Sequence, residues 1–166
     1  MSIPTPTGTV GEGPRGREVQ FVRRYRATPD AVWAALTESD RLERWIGRWE
    51  GDSATGRVTF FMTAEGDEVE GEEVSIVECD RPTRFAADTR VGDQQWHLRF
   101  ELEQEAGGVT VLTFAQMLSD DDVSSVGPGW EYYLDRLTAV MDRSDVDAVD
   151  FADYFPAMKD YYAALS

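Results

Sequence analysis

The sequence predicts an α+β fold in which a curved antiparallel sheet of six strands surrounds one long C-terminal helix, with two short helices after the first strand. Three observations support this prediction. Much of the middle of the chain alternates between apolar and polar residues with a period of two, which is typical of strands. Short turns separate these segments, so consecutive strands are expected to run antiparallel. From Gly129 onward the period changes to 3.6, which indicates a helix.

The first strand and the two short helices come first along the chain. Residues 19–26 alternate between two faces and predict a strand. Residues 28–49 then carry two short apolar stripes at helical spacing, which predict a pair of helices. Thr28 is suited to cap the first helix, with Pro29 at its first position, and Ser39 is suited to cap the second.

The sheet is completed by further strands before the long helix begins. In the clearest of them, the even-numbered residues 96–102 are all large and apolar, and the odd-numbered residues 97–103 are polar or charged. The helix that begins at Gly129 has a wide apolar stripe, which we expect to face the sheet. The further strands are predicted at residues 58–62, 68–77, 84–90, 96–103 and 109–118.

The chain divides into three predicted parts. Residues 1–16, rich in Pro, Gly and Thr, are expected to be a flexible leader, and residues 17–144 to form the domain. Residues 145–166 form an aromatic helical extension. Its large residues recur at helical spacing, so we expect it to dock on its own domain or on a second copy of the chain. The residues at this spacing are Tyr154, Met158, Tyr161 and Tyr162.

The composition argues against several kinds of partner. The 166 residues include 32 acidic and 16 basic side chains, and a net charge of −16 disfavours phosphate backbones and anionic lipid surfaces. The single cysteine, Cys79, allows no intrachain disulfide and fits a reducing compartment. No apolar stretch has the length of a membrane span, and the N-terminal segment lacks the apolar core of a signal peptide. We therefore expect a cytoplasmic protein that neither binds nucleic acid nor inserts into membranes.

The sequence has no recognisable catalytic or metal-binding motif, and no cofactor is expected. His97 is the only histidine, and its place on the polar face of its strand predicts a solvent-exposed imidazole. Cys79 has no nearby histidine that could activate a thiolate. The acidic cluster at residues 142–150 lacks the glycine and the terminal glutamate of a calcium loop, and the one at residues 120–122 is suited to the start of a helix.

Three stretches of the sequence resemble a known family. They are PDAVWAALTESDRLERWIG at residues 29–47, ECDRP at residues 78–82 before a strand, and GWEYYLDRL at residues 129–137. Together with the order of elements, they resemble the bacterial proteins related to the Activator of Hsp90 ATPase homolog 1, within the START/Bet v1-like (SRPBCC) superfamily of helix-grip folds. The resemblance covers residues 18–141, which is most of the chain.

The resemblance implies a hydrophobic cavity between the sheet and the long helix, which relatives use to hold lipids, polyketides and other apolar molecules. The expected function is binding or carriage of a small hydrophobic molecule, without turnover, in a cavity of about 300 Å³ or more. Each aromatic residue there could also be ordinary core. The residues expected to line the cavity are Arg23, Tyr25, Trp45, Trp49, Phe60, Trp96, Leu98, Phe100, Trp130, Tyr133 and Leu137.

Two other functions remain open at this point, as does the choice between monomer and homodimer. A polyketide cyclase or dehydratase-like enzyme would use the same cavity, with Arg23, Tyr25 or Tyr133 moving protons. A protein-interaction module of the co-chaperone type would instead have a filled core and an exposed aromatic patch. If Arg23 faces inward, it needs a partner, which is either a ligand carboxylate or an internal acid.

Overall fold

The structure is a computed structural model that describes residues 4–63, 71–91, 94–118 and 123–165. The described strands are β1 (Thr9–Gly13), β2 (Gly16–Tyr25), β3 (Arg48–Glu50), β4 (Arg57–Phe61), β5 (Glu72–Asp80), β6 (Arg84–Val91), β7 (Gln94–Glu105) and β8 (Val109–Met117). The helices are α1 (Pro29–Thr37), α2 (Ser39–Leu42), α3 (Val123–Met141) and α4 (Lys159–Ala163). All strands join one antiparallel sheet in the order β1-β2-β8-β7-β6-β5-β4-β3, and α3 packs on its inner face in the helix-grip arrangement.

The two short helices form where the sequence predicts them, but only one of the predicted caps is correct. Thr28 Oγ1 accepts a hydrogen bond from the backbone N–H of Ala31, and Pro29 is the first residue of α1. Ser39 is the first residue of α2 rather than its cap. Its hydroxyl instead bonds the backbone carbonyl and N–H of Trp49, and so joins α2 to β3.

The prediction of six strands is wrong, because the described residues contain eight. The stretch 1–16 is predicted as a leader, yet residues 9–13 within it form β1 and pair with β2 along their whole length. The second additional strand, β3, has only three residues and pairs with β4. Neither has a local strand signal, since β1 contains two glycines and β3 is too short to show alternation. Residues 68–70 of the predicted third strand and the acidic residues 120–122 lie outside the described residues.

The long helix begins earlier than Gly129, which is the predicted start. α3 begins at Val123 and runs through Gly127, Pro128 and Gly129, a triplet that normally marks a break. Gly127 lies directly against the ring of Tyr162, where a Cβ would overlap the ring. Packing against a residue far along the chain therefore outweighs the weak helix propensity of this turn.

The register of the sheet builds the core in rows across its inner face. Phe21 of β2 lies opposite Phe114 of β8, which lies opposite Phe100 of β7, which in turn lies opposite Phe85 of β6. Trp33 of α1 packs its ring against Phe85 and Phe100. This row closes the interface of sheet and helices at the α1 end of the inner face.

The C-terminal extension docks on its own domain. Tyr154, Met158 and Tyr162 are buried, and α4 packs against α3. The extension is mostly turns and 3-10 helix, with the five residues of α4 as its only α-helix among the described residues. Tyr161, at the fourth position of the predicted stripe, is 40% exposed.

Candidate functional site

The register places Gln116 centrally on the inner face of the sheet. Gln116 of β8 lies opposite Leu98 of β7 on one side and Val19 of β2 on the other. Trp96 lies two residues before Leu98, so it shares the inner face and is a diagonal neighbour of Gln116, at a Cα separation of about 7–8 Å. This part of the inner face lies beyond the phenylalanine row, away from α1.

Helix α3 covers Gln116 with Trp130. The indole Nε1–H of Trp130 donates a hydrogen bond to Gln116 Oε1 over 2.6 Å, and its ring centroid lies 4.5 Å from that of Phe114. Tyr133, one turn further along α3, packs edge-on against Trp130. Trp130 therefore fixes the helix over the row of the sheet that contains Gln116.

Two buried donors in this region are left without a partner. The Nε2 group of Gln116 and the Nε1–H of Trp96 are buried, and neither has a hydrogen-bond partner among the residues that the structure describes. Gln116 itself is 0% exposed. A buried donor without an acceptor costs about 1–3 kcal/mol, so two such donors on one face of the sheet are unusual for buried polar groups.

Five of the predicted cavity residues are packed on the core but remain half-buried. They form what we call the inner-face group: Trp49, Phe60, Trp96, Leu98 and Tyr133. Their large apolar surfaces are only partly covered, in contrast to the buried rings of Phe21, Phe100 and Phe114. Trp49 and Phe60 lie at the far edge of the sheet, where Trp49 Nε1 donates to the backbone carbonyl of Thr37 at the end of α1. The remaining three, with Gln116, form the candidate site.

Other predicted cavity residues lie in the closed core. Phe100 is 5% exposed and stacks on Phe85, and Leu137 of α3 is fully buried. Trp45 is 3% exposed, and its indole N–H donates to the backbone carbonyl of Ala35 over 2.9 Å. The structure therefore places these three residues in the core. Phe100, like Trp96, is a diagonal neighbour of Gln116 across the register of β7 and β8.

Arg23 faces inward, and its partner is an internal acid. Its guanidinium lies 2.9 Å from Glu131 Oε1 and 3.3 Å from Asp135 Oδ1, both on α3. Glu131 also accepts hydrogen bonds from the backbone and hydroxyl of Thr7 and from the hydroxyl of Tyr162. We call Thr7, Arg23, Glu131, Asp135 and Tyr162 the buried polar network; it ties β2, α3 and both ends of the described chain together.

Burial and hydrogen bonding act in opposite directions on the pKa of Glu131 and of the neighbouring Tyr25, and in the same direction on that of Tyr162. Burial alone would raise the pKa of Glu131, but hydrogen bonds from Thr7, Tyr162 and Arg23 outweigh burial and lower it. Burial raises the pKa of Tyr25 to about 12, partly offset by its hydroxyl contact with Thr138 at 3.2 Å. Burial and the hydrogen bond to Glu131 raise the pKa of Tyr162. At pH 7, Glu131 is therefore ionised, whereas Tyr162 and the neighbouring Tyr25 are neutral.

The prediction of an exposed His97 is wrong. The residue is on the outer face as predicted, but it is 6% exposed. Asp88 lies directly opposite it on β6, with Oδ1 at 2.6 Å from Nδ1 of the ring. Arg15, in the turn between β1 and β2, approaches the same ring nitrogen, with Nη1 at 2.7 Å from Nδ1 and 3.1 Å from Asp88 Oδ1. The imidazole is buried because the unpredicted β1–β2 hairpin brings Arg15 over the sheet.

Two grooves of about 320 and 270 Å³ are present on the outer face of the sheet. The larger is lined by His97, Arg99 and the Pro14–Arg15 turn, among others. Neither is the cavity implied by the resemblance, which would lie on the inner face. That cavity stays a prediction.

Two further observations concern metals and membranes. In the described part of the chain, no group of three or more His, Cys, Asp or Glu side chains is arranged to hold a metal ion. None of the described helices combines the length and apolar character needed to cross a bilayer.

The sequence predicted all five residues of the inner-face group but missed Gln116 and Glu131. A signal for Gln116 exists, since the inward positions of its strand are Leu112, Phe114 and then a glutamine, a polar residue where alternation predicts an apolar one. Glu131 has no comparable signal, because its partners lie in the N-terminal segment and in the C-terminal extension.

Comparison with solved structures supports the same fold. The crystal structure of CalU16 from Micromonospora echinospora is 25% identical, with a TM-score of 0.70, and the match covers 97% of this chain and 96% of that one. EF2215 from Enterococcus faecalis, a conserved protein of unknown function, is 19% identical with a TM-score of 0.70, covering 96% and 92%. The protein encoded by BPP1335 from Bordetella parapertussis is 20% identical with a TM-score of 0.63, covering 94% and 95%. The last two likenesses show the fold alone. No curated protein matches the chain.

A family model extends this likeness from fold to family. The model described as Activator of Hsp90 ATPase homolog 1-like protein matches residues 26–142, from the end of β2 to the residue after α3. These residues hold the α1–α2 pair, most of the sheet and the whole of α3. The chain therefore belongs to the Activator of Hsp90 ATPase homolog 1-like family, as its sequence motifs indicated.

Proposed function

We propose that the protein binds a small, mainly apolar molecule between the inner face of the sheet and α3. The observation that carries this proposal is the contrast between two neighbouring parts of the inner face. Phe21, Phe100 and Phe114 are buried, whereas Trp96, Leu98 and Tyr133 remain half-buried in the region of two unpaired buried donors. Ligand sites combine large apolar surfaces with a few polar groups in the same way.

Carriage or sequestration is favoured over catalysis. The enzyme alternative needs Arg23, Tyr25 or Tyr133 to face a substrate. Arg23 is bound to Glu131 and Asp135, and the Tyr25 hydroxyl contacts Thr138, so this alternative would depend on Tyr133 of the inner-face group. The interaction-module alternative needs a free aromatic patch. Tyr161, one of the exposed aromatics, donates its hydroxyl to the Gly8 carbonyl. A cytoplasmic location is inferred from the sequence alone.

The test measures binding of Nile red, a neutral apolar dye, by its fluorescence. Wild-type protein should bind about one dye per chain, and Leu98→Phe should weaken binding because the larger ring occupies space in the inner-face group. Val22→Phe is the matched control, since Val22 is 45% exposed on the outer face of the sheet. Its affinity should equal that of the wild type.

Native mass spectrometry of protein taken directly from cells provides an independent measurement. We expect an added mass corresponding to a retained small molecule. If the wild type binds no dye and carries no added mass, or if Leu98→Phe and Val22→Phe behave alike, the proposed function is wrong.

A further inference from the structure

Only the oxygen of the Gln116 amide has a hydrogen-bond partner among the described residues. Its Oε1 accepts a hydrogen bond from Trp130 Nε1 over 2.6 Å, while its Nε2 has no partner among the described residues. An indole N–H can only donate, so the oxygen of the amide must face Trp130. The reverse orientation would set two donors against each other. Trp130 therefore fixes the NH₂ group of Gln116 toward the candidate site.

Trp96 supplies a second donor on the same face. Its Nε1–H is buried and unpaired among the described residues, and the register makes it a diagonal neighbour of Gln116. An indole N–H and an amide NH₂ group have no acceptor capacity, and the amide oxygen of Gln116 is bonded to Trp130. The two unpaired groups, Gln116 Nε2 and Trp96 Nε1, can therefore only donate hydrogen bonds.

The charge of the surroundings disfavours an anionic ligand. Two arginines occupy inward positions of β2, and both are engaged elsewhere: Arg23 with Glu131 and Asp135, and Arg17 with the carbonyl of Leu165. A ligand carboxylate would therefore meet neutral donors without a free guanidinium from β2. Burying an unpaired charge is far more costly than burying a neutral carbonyl that is hydrogen-bonded.

We propose that the bound molecule is a neutral apolar compound with a carbonyl oxygen, such as an aryl ketone, and that Gln116 Nε2 donates to this oxygen, with Trp96 Nε1 as the second donor. This inference rests on the proposed function and narrows its ligand class. A hydrocarbon of the same shape would leave both donors unpaired, and sites with unpaired donors discriminate strongly against ligands that lack the acceptor.

The experiment compares 9-fluorenone with fluorene, which have the same ring framework but differ in the carbonyl. Equilibrium dialysis against the full chain gives both dissociation constants without depending on tryptophan fluorescence. We expect fluorenone to bind at least about tenfold more tightly than fluorene, because its carbonyl oxygen would accept hydrogen bonds from donors that fluorene leaves unpaired. Fluorenone does not alkylate thiols, so the exposed Cys79 does not interfere.

Two variants test the donors, and a third is a matched control. Trp96→Phe removes one unpaired N–H and keeps an aromatic ring, and Gln116→Met removes the amide at similar volume. Each should reduce the preference for fluorenone several-fold. Trp45→Phe removes an indole N–H that is already bonded to the Ala35 carbonyl in the core, so the preference should persist. Thermal melting shows whether each variant is folded. If Gln116→Met does not fold, Trp96→Phe alone tests whether the buried donors cause the preference for fluorenone.

The outcomes separate the two proposals. If fluorene and fluorenone bind equally well, the protein still binds apolar molecules, but the inferred ligand class is wrong. The inference is also overturned if fluorenone is preferred and both Trp96→Phe and Gln116→Met retain the full preference. If neither compound binds although Nile red does, the inferred ligand class is wrong and the proposed function stands. If Nile red does not bind either, both are contradicted.

Discussion

Glu131 is a buried carboxylate whose charge the fold stabilises. It is 1% exposed, and hydrogen bonds from Thr7, Tyr162 and Arg23 lower its pKa despite burial. A carboxyl with a lowered folded pKa stabilises the fold above its ordinary pKa of about 4.3, and this contribution is lost as the pH falls through the folded value. The buried polar network should therefore weaken in acid.

We predict that Glu131→Gln lowers the free energy of unfolding at pH 7 by about 1–3 kcal/mol, since Thr7 and Arg23 lose a charged partner. The difference between variant and wild type should narrow as the pH falls from 6 to 3, below the ordinary carboxyl pKa of about 4.3, because the unfolded wild-type chain then binds a proton at Glu131 that the folded state resists. Urea denaturation across this range measures both effects.

The control for this prediction is Glu103→Gln, at an exposed position on the outer face of β7. Its unfolding free energy should stay within about 0.5 kcal/mol of the wild type. A difference between Glu131→Gln and the wild type that stays constant down to pH 3 would contradict the role given to the Glu131 charge.

At this scale, the sequence predicts which face a residue occupies better than it predicts its surroundings. Trp96, Leu98 and Phe100 face inward because alternation along one strand decides it. His97 faces outward as expected but is buried, because Arg15 reaches it from the β1–β2 turn and Asp88 from β6. The pairing of a side chain depends on residues that are distant in sequence, which a local pattern does not contain.

Helix α3 and the extension meet at a glycine. Gly127 lies against the ring of Tyr162, and Gly8 of the N-terminal segment lies against the same residue. Gly129, two residues further along α3, has no neighbouring atom within 4 Å of the position of a Cβ. The two glycines of the helix therefore differ in packing, although both have the same poor helix propensity.

We predict that Gly127→Ala is destabilising, because the new methyl group would displace Tyr162 and weaken the docking of α4. Gly129→Ala should be neutral or stabilising by up to about 1 kcal/mol, from helix propensity alone. Thermal melting of the two variants checks both signs. Equal effects of the two substitutions would show that contact with Tyr162 does not decide the start of α3.

The elements themselves were predicted to different degrees. The strands β7 and β8 and the pair α1–α2 agree closely with the sequence, because their periodicity and caps are local. β1 and β3 were missed, since backbone pairing with neighbouring strands rather than residue type holds them in the sheet. The early start of α3 was missed for a related reason, since Tyr162 reinforces a turn that its own residues disfavour.

At the scale of the whole molecule, the N-terminal segment and the C-terminal extension both contact Glu131 of α3. Thr7 and Glu131 are 124 positions apart, and their contact joins the N-terminal segment to α3. Tyr162 adds the extension to the same contact through its hydroxyl. Three segments that are distant in sequence, namely the N-terminal segment, α3 and the C-terminal extension, therefore meet at Glu131.

We predict that truncation after Ser144 lowers the melting temperature without changing the oligomeric state. The truncation removes the buried side chains of Tyr154, Met158 and Tyr162, which pack on the same chain. Light scattering gives the mass, and thermal melting gives the stability. Tyr162→Phe, which removes only the hydroxyl bonded to Glu131, should lower the melting temperature less and serves if the truncated chain does not fold.

Two results would contradict this prediction. Unchanged melting temperature and unchanged mass would show that the extension contributes nothing to the folded domain. A halved mass on truncation would instead show that the extension joins two copies of the chain.

The sequence by itself determined the α+β class, the family, the antiparallel strands and the large apolar residues of the inner face. All of these follow from local periodicity, turn residues and short motifs. Only the tertiary structure decided the eight-stranded sheet, the burial of His97, the partner of Arg23 and the unpaired donors of Gln116 and Trp96. The physical reason is that burial and hydrogen-bond pairing are properties of distant segments brought together, and a residue's own neighbours in sequence do not specify them.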